Sequence, residues 1–131
     1  MERDLVDVVW DALHERVGDD LRTVVQYDAS SSAVKFRPDV RERYDLDERQ
    51  QILDDAIVQQ LSFSDQGSVF KTGDLKSFVR VFDEAWVLTW REPSNVKAGF
   101  LVSIQRDGEI ATMEDVEYCI QYLDEEIEPR L

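Results

Sequence analysis

The sequence predicts an α+β domain in which a five-stranded antiparallel sheet is flanked by helices. The first observation is that β-branched and aromatic residues are densest in Leu75–Gln105, where apolar side chains recur at period two. The second is that both ends of the chain carry amphipathic helical patterns. The third is size: 131 residues, 43% of them hydrophobic, with no Pro/Gly/Ser-rich linker, predict one domain over residues 1–131.

The first element is an amphipathic helix predicted over Glu2 to Val17. Apolar residues recur every three or four positions from Leu5 onward, and acidic residues occupy the remaining face. Gly18 tolerates the left-handed conformation that commonly ends a helix. We therefore expect the helix to end there.

A hairpin and a second helix follow. Leu21–Tyr27 and Ala33–Arg37 alternate apolar and polar residues, with a turn-forming connection between them. The charged stretch after Pro38 is compatible with a loop or a short helix. Asp47 is a candidate N-cap for a second helix from about Glu48 to Leu61, where apolar residues again recur at helical spacing.

The residue pattern in the last part of the sequence predicts three strands and a C-terminal helix. The strands are Lys76–Phe82, Ala85–Trp90 and Ala98–Gln105. Thr112 begins a helix with a capping-box pattern, and Pro129 is expected to stop it. The predicted order is helix, two strands, helix, three strands, helix.

Charge is the most distinctive global property of the sequence. The 29 Asp and Glu against 15 Lys and Arg give a net charge of −14, and arginines outnumber lysines by 11 to 4. A binder of basic proteins would concentrate its acidic residues, whereas here they are spread over every segment. We therefore expect a halophilic protein whose self-repulsion is screened by salt.

The same charge argues against a nucleic-acid partner, because the phosphate backbone repels an acidic protein. Acidic residues interleave the one local run of arginines, which comprises Arg37, Arg41, Arg43 and Arg49. No run of about 18 apolar residues is present, and the first ten residues are charged where a signal peptide would be apolar. We expect a soluble cytoplasmic protein that does not insert into membranes.

Three stretches of the sequence resemble a family of small uncharacterised haloarchaeal proteins: VGDDLRTVVQYD, KTGDLKSFVRVFDEAWVLTW and SIQRDGEIATMEDVEYC. The resemblance implies a high-salt cytosol and supplies no catalytic residues. The positions that carry it are Gly18, Asp19, Leu21, Arg22, Gly73, Asp74, Leu75, Arg80 and Phe82.

The predicted order of elements resembles the roadblock and longin type of profilin-like fold. That resemblance implies a sheet with the middle helix on one face and the terminal helices on the other. It also implies that the third strand lies at an edge, where such domains commonly pair.

The third strand carries the main functional hypothesis. Both faces of this strand carry apolar side chains: Phe78 lies on one face, and Val79 and Val81 lie on the other. With Ile52 and Ile57 of the second helix, these residues form a candidate interface. We expect a non-catalytic protein-interaction module, an adaptor, scaffold or regulatory domain, that forms a homodimer and binds another protein of unspecified identity. The alternative for the strand is coverage by the chain's own helices.

Two further functional classes are a small-molecule sensor and an enzyme. A small-molecule-sensing domain would use the sheet face around Trp86 and Trp90 as its ligand face. An enzyme would need a nucleophile, base or metal cluster, and the sequence has one histidine, His14, and one cysteine, Cys119, both without catalytic or metal-binding companions. Gly67 and Gly73 are spaced wrongly for a phosphate loop. The sequence therefore predicts no catalytic residue, no metal ligand and no cofactor.

Overall fold

Five antiparallel strands form the centre of the structure, a computed structural model that describes residues 4–63 and 70–131. Neighbouring strands follow the order β2-β1-β5-β4-β3. This confirms the predicted sheet, with every strand end within one residue of its predicted position. The strands are β1 (Leu21–Tyr27), β2 (Ser32–Phe36), β3 (Ser77–Val81), β4 (Ala85–Arg91) and β5 (Gly99–Gln105).

The described residues include four α-helices, which are α1 (Leu5–Val17), α2 (Pro38–Glu42), α3 (Leu46–Phe63) and α4 (Met113–Tyr122). Residues 2 and 3 of the first predicted helix, and Gly67, lie outside the described residues. The α2 helix is the short helix that the sequence allowed after Pro38. The fold class and approximate order of elements are as predicted.

Helix ends differ from the prediction at two places. The α3 helix is capped by Asp45 rather than Asp47: Glu48 N–H donates to Asp45 Oδ1 at 2.8 Å and Asp45 N–H donates to Glu48 Oε1 at 3.1 Å. After α4, a π-helical turn and a 3₁₀ turn carry the helical backbone through Pro129, which does not stop it. Proline is tolerated there because the first residues of a helical turn need no backbone donor.

The two faces of the sheet carry different helices. The α1 and α4 helices pack on the face that bears Val24, Leu88 and Val102, and their apolar residues form one continuous core with it. The α3 helix packs on the opposite face through Leu53 and Ala56. This is the arrangement expected for the middle and terminal helices.

The sheet face around Trp86 and Trp90 is covered by the chain's own helices. Both indoles belong to the core beneath α1 and α4, and Trp90 is only 1% exposed. The indole Nε1–H of Trp90 donates to Asp124 Oδ1 at 2.8 Å. Period-two alternation correctly placed the two side chains on one face, and helices cover both of them there.

Asp20 joins the start of β1 to the segment that precedes α4. Its buried carboxylate accepts hydrogen bonds from the backbone N–H groups of Ile110 and Ala111, each at 2.8 Å. A Cβ at Gly108 would collide with the same carboxylate, so this close approach requires glycine. The carboxylate thereby satisfies a buried backbone donor at Ala111 and a partly buried one at Ile110.

We predict that Asp20→Ala lowers the free energy of unfolding by about 2–4 kcal/mol, because two backbone N–H groups lose their acceptor. The matched control is Asp19→Ala, since the neighbouring Asp19 side chain is 97% exposed. Urea unfolding at high salt measures both variants. Equal stability of the two variants would contradict the structural role of Asp20.

Candidate functional site

A row of residues that crosses the whole sheet forms the floor of a cavity beneath α3. Strand register aligns Arg80, Val87, Ser103, Thr23 and Phe36 from β3 to β2. Directly paired residues in antiparallel strands project to the same face, so all five side chains lie on the α3 side. The cavity above them has a volume of about 340 Å³.

Apolar side chains form most of the remaining cavity wall. The next row of the sheet contributes Val34, Val25 and Leu101. The roof comes from α2, the connection after it and the first half of α3. Its main residues are Val40, Tyr44, Ile52 and Leu53.

A β-bulge places Arg22 in the same cavity. Leu21 pairs with Ile104 and Thr23 pairs with Ser103, so Arg22 is the extra residue in β1. Leu21 belongs to the core beneath α1 and α4, whereas Arg22 and Thr23 both line the cavity. The bulge thus interrupts the alternation and leaves Arg22 only 6% exposed.

Arg22 has a neutral hydrogen-bond partner. Its Nη1–H donates to Oε1 of Gln105 at 3.1 Å, and the same oxygen accepts from Nη2 of Arg37 at 2.9 Å. Gln105 is held from its other end by the backbone oxygen of Glu84 at 3.1 Å and by Asp107. Among the described residues, Nε of Arg22 is buried and has no acceptor.

Three more arginines surround the cavity. Arg49 lies over the Phe36 ring, 4.8 Å from its centroid, and Arg43 lies 3.8 Å from Glu84. Burial lowers the pKa of Arg80, and the nearby Asp55 opposes that shift. Arg43 and Arg49 belong to the run of arginines whose positive charge the interleaved acidic residues were expected to offset. In the fold, both arginines line the cavity. The sequence does not predict this position, because proximity along the chain does not fix side-chain direction.

Two hydroxyl groups lie in the cavity floor between these arginines. Thr23 Oγ1 and Ser103 Oγ are 2.7 Å apart, so one of them donates to the other. Each hydroxyl carries one hydrogen, and their mutual bond uses only one. The pair therefore keeps one O–H that can donate to a ligand.

The five predicted interface residues do not form one exposed patch. The β3 strand pairs with β4 alone among the described strands, and its Val81 is 57% exposed. Val79 packs against the core beneath α1 and α4, and Ile57 packs against the cluster beneath α3. The Phe78 ring contacts Phe63, with centroids 5.3 Å apart, and Ile52 lines the cavity.

Neither Cys119 nor His14 contributes to the cavity. Cys119 is fully buried in the core, and this burial raises the pKa of its thiol to about 12. His14 stacks on Trp10 at the end of α1 and lies 3.7 Å from Asp19. Across residues 4–63 and 70–131, no group of three or more His, Cys, Asp or Glu residues is arranged to hold a metal ion.

The fold and the site define an α+β domain with a ligand-sized cavity between its sheet and its middle helix. The chain belongs to a family described as a domain of unknown function, DUF7522, whose pattern matches residues 7–125. That range includes every described residue that lines the cavity. No curated protein matches the chain.

The family description names neither a haloarchaeal group nor the roadblock and longin proteins, so both resemblances stay predictions. In the part of the chain that the structure describes, no helix has the length and apolar character needed to cross a membrane.

Proposed function

We propose that this domain binds a small molecule in the cavity beneath α3 and acts as a non-catalytic sensing module. The observation that carries the proposal is the preformed, mainly apolar cavity of about 340 Å³. Small-molecule sites are typically concave and apolar, with a few polar groups, and begin at about 300 Å³. This site replaces the face around Trp86 and Trp90 as the candidate ligand surface.

The chemistry of the cavity wall supports binding without catalysis. Among the described residues that line the cavity there is no histidine or cysteine, and their one carboxylate, Glu84, lies close to Arg43. General acid–base or nucleophilic catalysis needs a group of suitable pKa near the reacting atom. Arginine instead remains protonated and suits recognition.

The two halves of α3 differ in how they are attached to the rest of the fold, and this difference suits sensing. In the second half, Gln60 accepts a hydrogen bond from the Tyr27 hydroxyl and donates to the backbone oxygens of Val96 and Ala98, each at 2.9 Å. The first half of α3 and the preceding α2 form the cavity roof. A bound molecule would therefore contact the part of the helix that this network does not hold.

We predict that Ile52→Trp weakens small-molecule binding at least about tenfold, because the indole would occupy the cavity. Val58→Trp is the matched control, since Val58 lies on the same helix, is 60% exposed and does not line the cavity. Binding of neutral and charged aromatic fragments is measured by protein-observed NMR. Fragments that shift no cavity signal, or that bind both variants equally, would contradict the proposal.

A second candidate function is the protein-interaction module with a homodimeric interface. It is supported by the edge position of β3, where Val81 is exposed, as is Phe82 directly after the strand. An exposed edge strand offers backbone donors and acceptors to a second strand. Two copies paired through β3 would satisfy those groups and bury the two side chains. The same edge could serve an adaptor function toward another protein.

We predict that Val81→Lys shifts a dimer toward monomer, because it places charges in the contact between two β3 edges. Val81 is a better test position than Val79, which packs inside the same chain. Val96→Lys, at an exposed valine in the loop before β5, is the matched control. Analytical ultracentrifugation at high salt measures the shift. A wild-type protein that sediments as a monomer at tens of micromolar would eliminate this candidate.

We further propose that the domain works in the salt-rich cytoplasm of a halophilic archaeon. The support is the net charge of −14 and its distribution along the whole chain. Strong like charge destabilises a compact state through self-repulsion, and concentrated salt screens it.

We predict a higher melting temperature at about 2 M KCl than at about 0.1 M KCl, because the Debye length falls from about 10 Å to about 3 Å or less over this range. Circular dichroism measures both melting curves. Equal midpoints would remove the halophilic interpretation and leave the cavity proposal untouched.

A further inference from the structure

The charge of the cavity is opposite to the charge of the chain. Its described lining contains four arginines and one glutamate, in a sequence with 29 acidic and 15 basic residues. Two arginines outside the cavity form ion pairs: Arg16 lies 2.8 Å from Asp115, and Arg37 lies 2.6 Å from Asp39. Among the described residues, no ion pair within 4.0 Å involves Arg22, Arg49 or Arg80, although Asp55 acts on Arg80 at longer range.

Arg22 is the least compensated of these groups. Only 6% of its surface is exposed, and its guanidinium donates to the neutral Oε1 of Gln105. A buried cation without a counterion is unfavourable unless another group supplies the opposite charge. The cavity leaves space for a ligand to supply it.

The unused polar groups of the cavity are hydrogen-bond donors. In the described residues, Nε of Arg22, Arg49 and Arg80 is buried without an acceptor. The Thr23–Ser103 hydroxyl pair adds one O–H. A set of donors complements an oxygen-rich anion, whereas an ammonium group would bring further donors and a like charge.

We propose that the ligand is a small amphipathic organic anion whose carboxylate or phosphate head binds Arg22. This inference rests on the proposed function of the cavity and specifies its ligand class. The head lies beside the Thr23–Ser103 pair, and the apolar body lies over Val87 and Leu101. Arg49 and Arg80 add positive potential from α3 and from β3.

The test compares ligands of one carbon skeleton with different heads. The probes are 4-phenylbutyrate, 4-phenylbutyl phosphate, 4-phenylbutan-1-ol and 4-phenylbutylammonium, titrated at high salt and followed by NMR signals of the cavity residues. We expect one of the two anions to bind at least about tenfold tighter than the alcohol, since hydrogen bonds to charged groups contribute more than neutral ones. The better anion identifies the head group. The ammonium compound should bind more weakly than the alcohol.

Arg22→Met should abolish the preference for the anion while the alcohol still binds, because methionine keeps the apolar stem and removes the charge. Arg130→Met is the matched control at an exposed arginine outside the cavity, and it should leave all affinities unchanged. If Arg22→Met does not fold, Arg80→Met should reduce the preference at least about threefold, because it removes a second cavity charge.

The outcomes separate the two proposals. Equal affinities of the anions and the alcohol for the wild-type protein would overturn the ligand class and leave the cavity as a small-molecule site. An anion preference that persists in folded Arg22→Met would overturn the assignment of the head group to Arg22. If none of the four probes shifts a cavity signal, this inference fails, and failure of the wider fragment panel would also remove the proposed function.

Discussion

The antiparallel pairing of β1 with β5 is the constraint on which the rest of the structure depends. These strands lie at the centre of the sheet, so each must bury both faces. Val24 and Val102 contribute to the core beneath α1 and α4, and Val25 and Leu101 contact the cluster beneath α3. The same pairing contains the bulge that directs Arg22 into the cavity. A one-residue change of register would exchange the two faces and disrupt both layers.

The sequence predicted the strands well because period-two alternation depends on local backbone geometry alone. It grouped Trp86 with Trp90 correctly but did not show that helices cover their face, since coverage depends on how distant elements pack. It placed Leu21 and Thr23 on one face, whereas the bulge sends them to opposite faces. A bulge adds one residue without altering composition, so alternation alone does not reveal it.

The arginine cavity was not predictable for a related reason. Its cations come from β1, β3, α3 and the connection before α3, and Arg22, Arg43 and Arg49 lie close to acidic residues in sequence. Local charge counting therefore predicted a solvated surface around Arg43 and Arg49. Only the sheet register and the position of α3 bring these groups around one space. Their arrangement also explains how an acidic chain can present a locally positive site.

The cavity follows from unequal side-chain volumes on the two faces of one sheet. Trp86, Trp90 and Phe100 fill the face beneath α1 and α4. The row beneath the first half of α3 instead carries Thr23 and Ser103 at its centre, which are too short to fill the same depth. A helix resting on small residues leaves unfilled space, and protein interiors are otherwise closely packed. A row of larger apolar residues would close this gap, so the small side chains of Thr23 and Ser103 keep the cavity open.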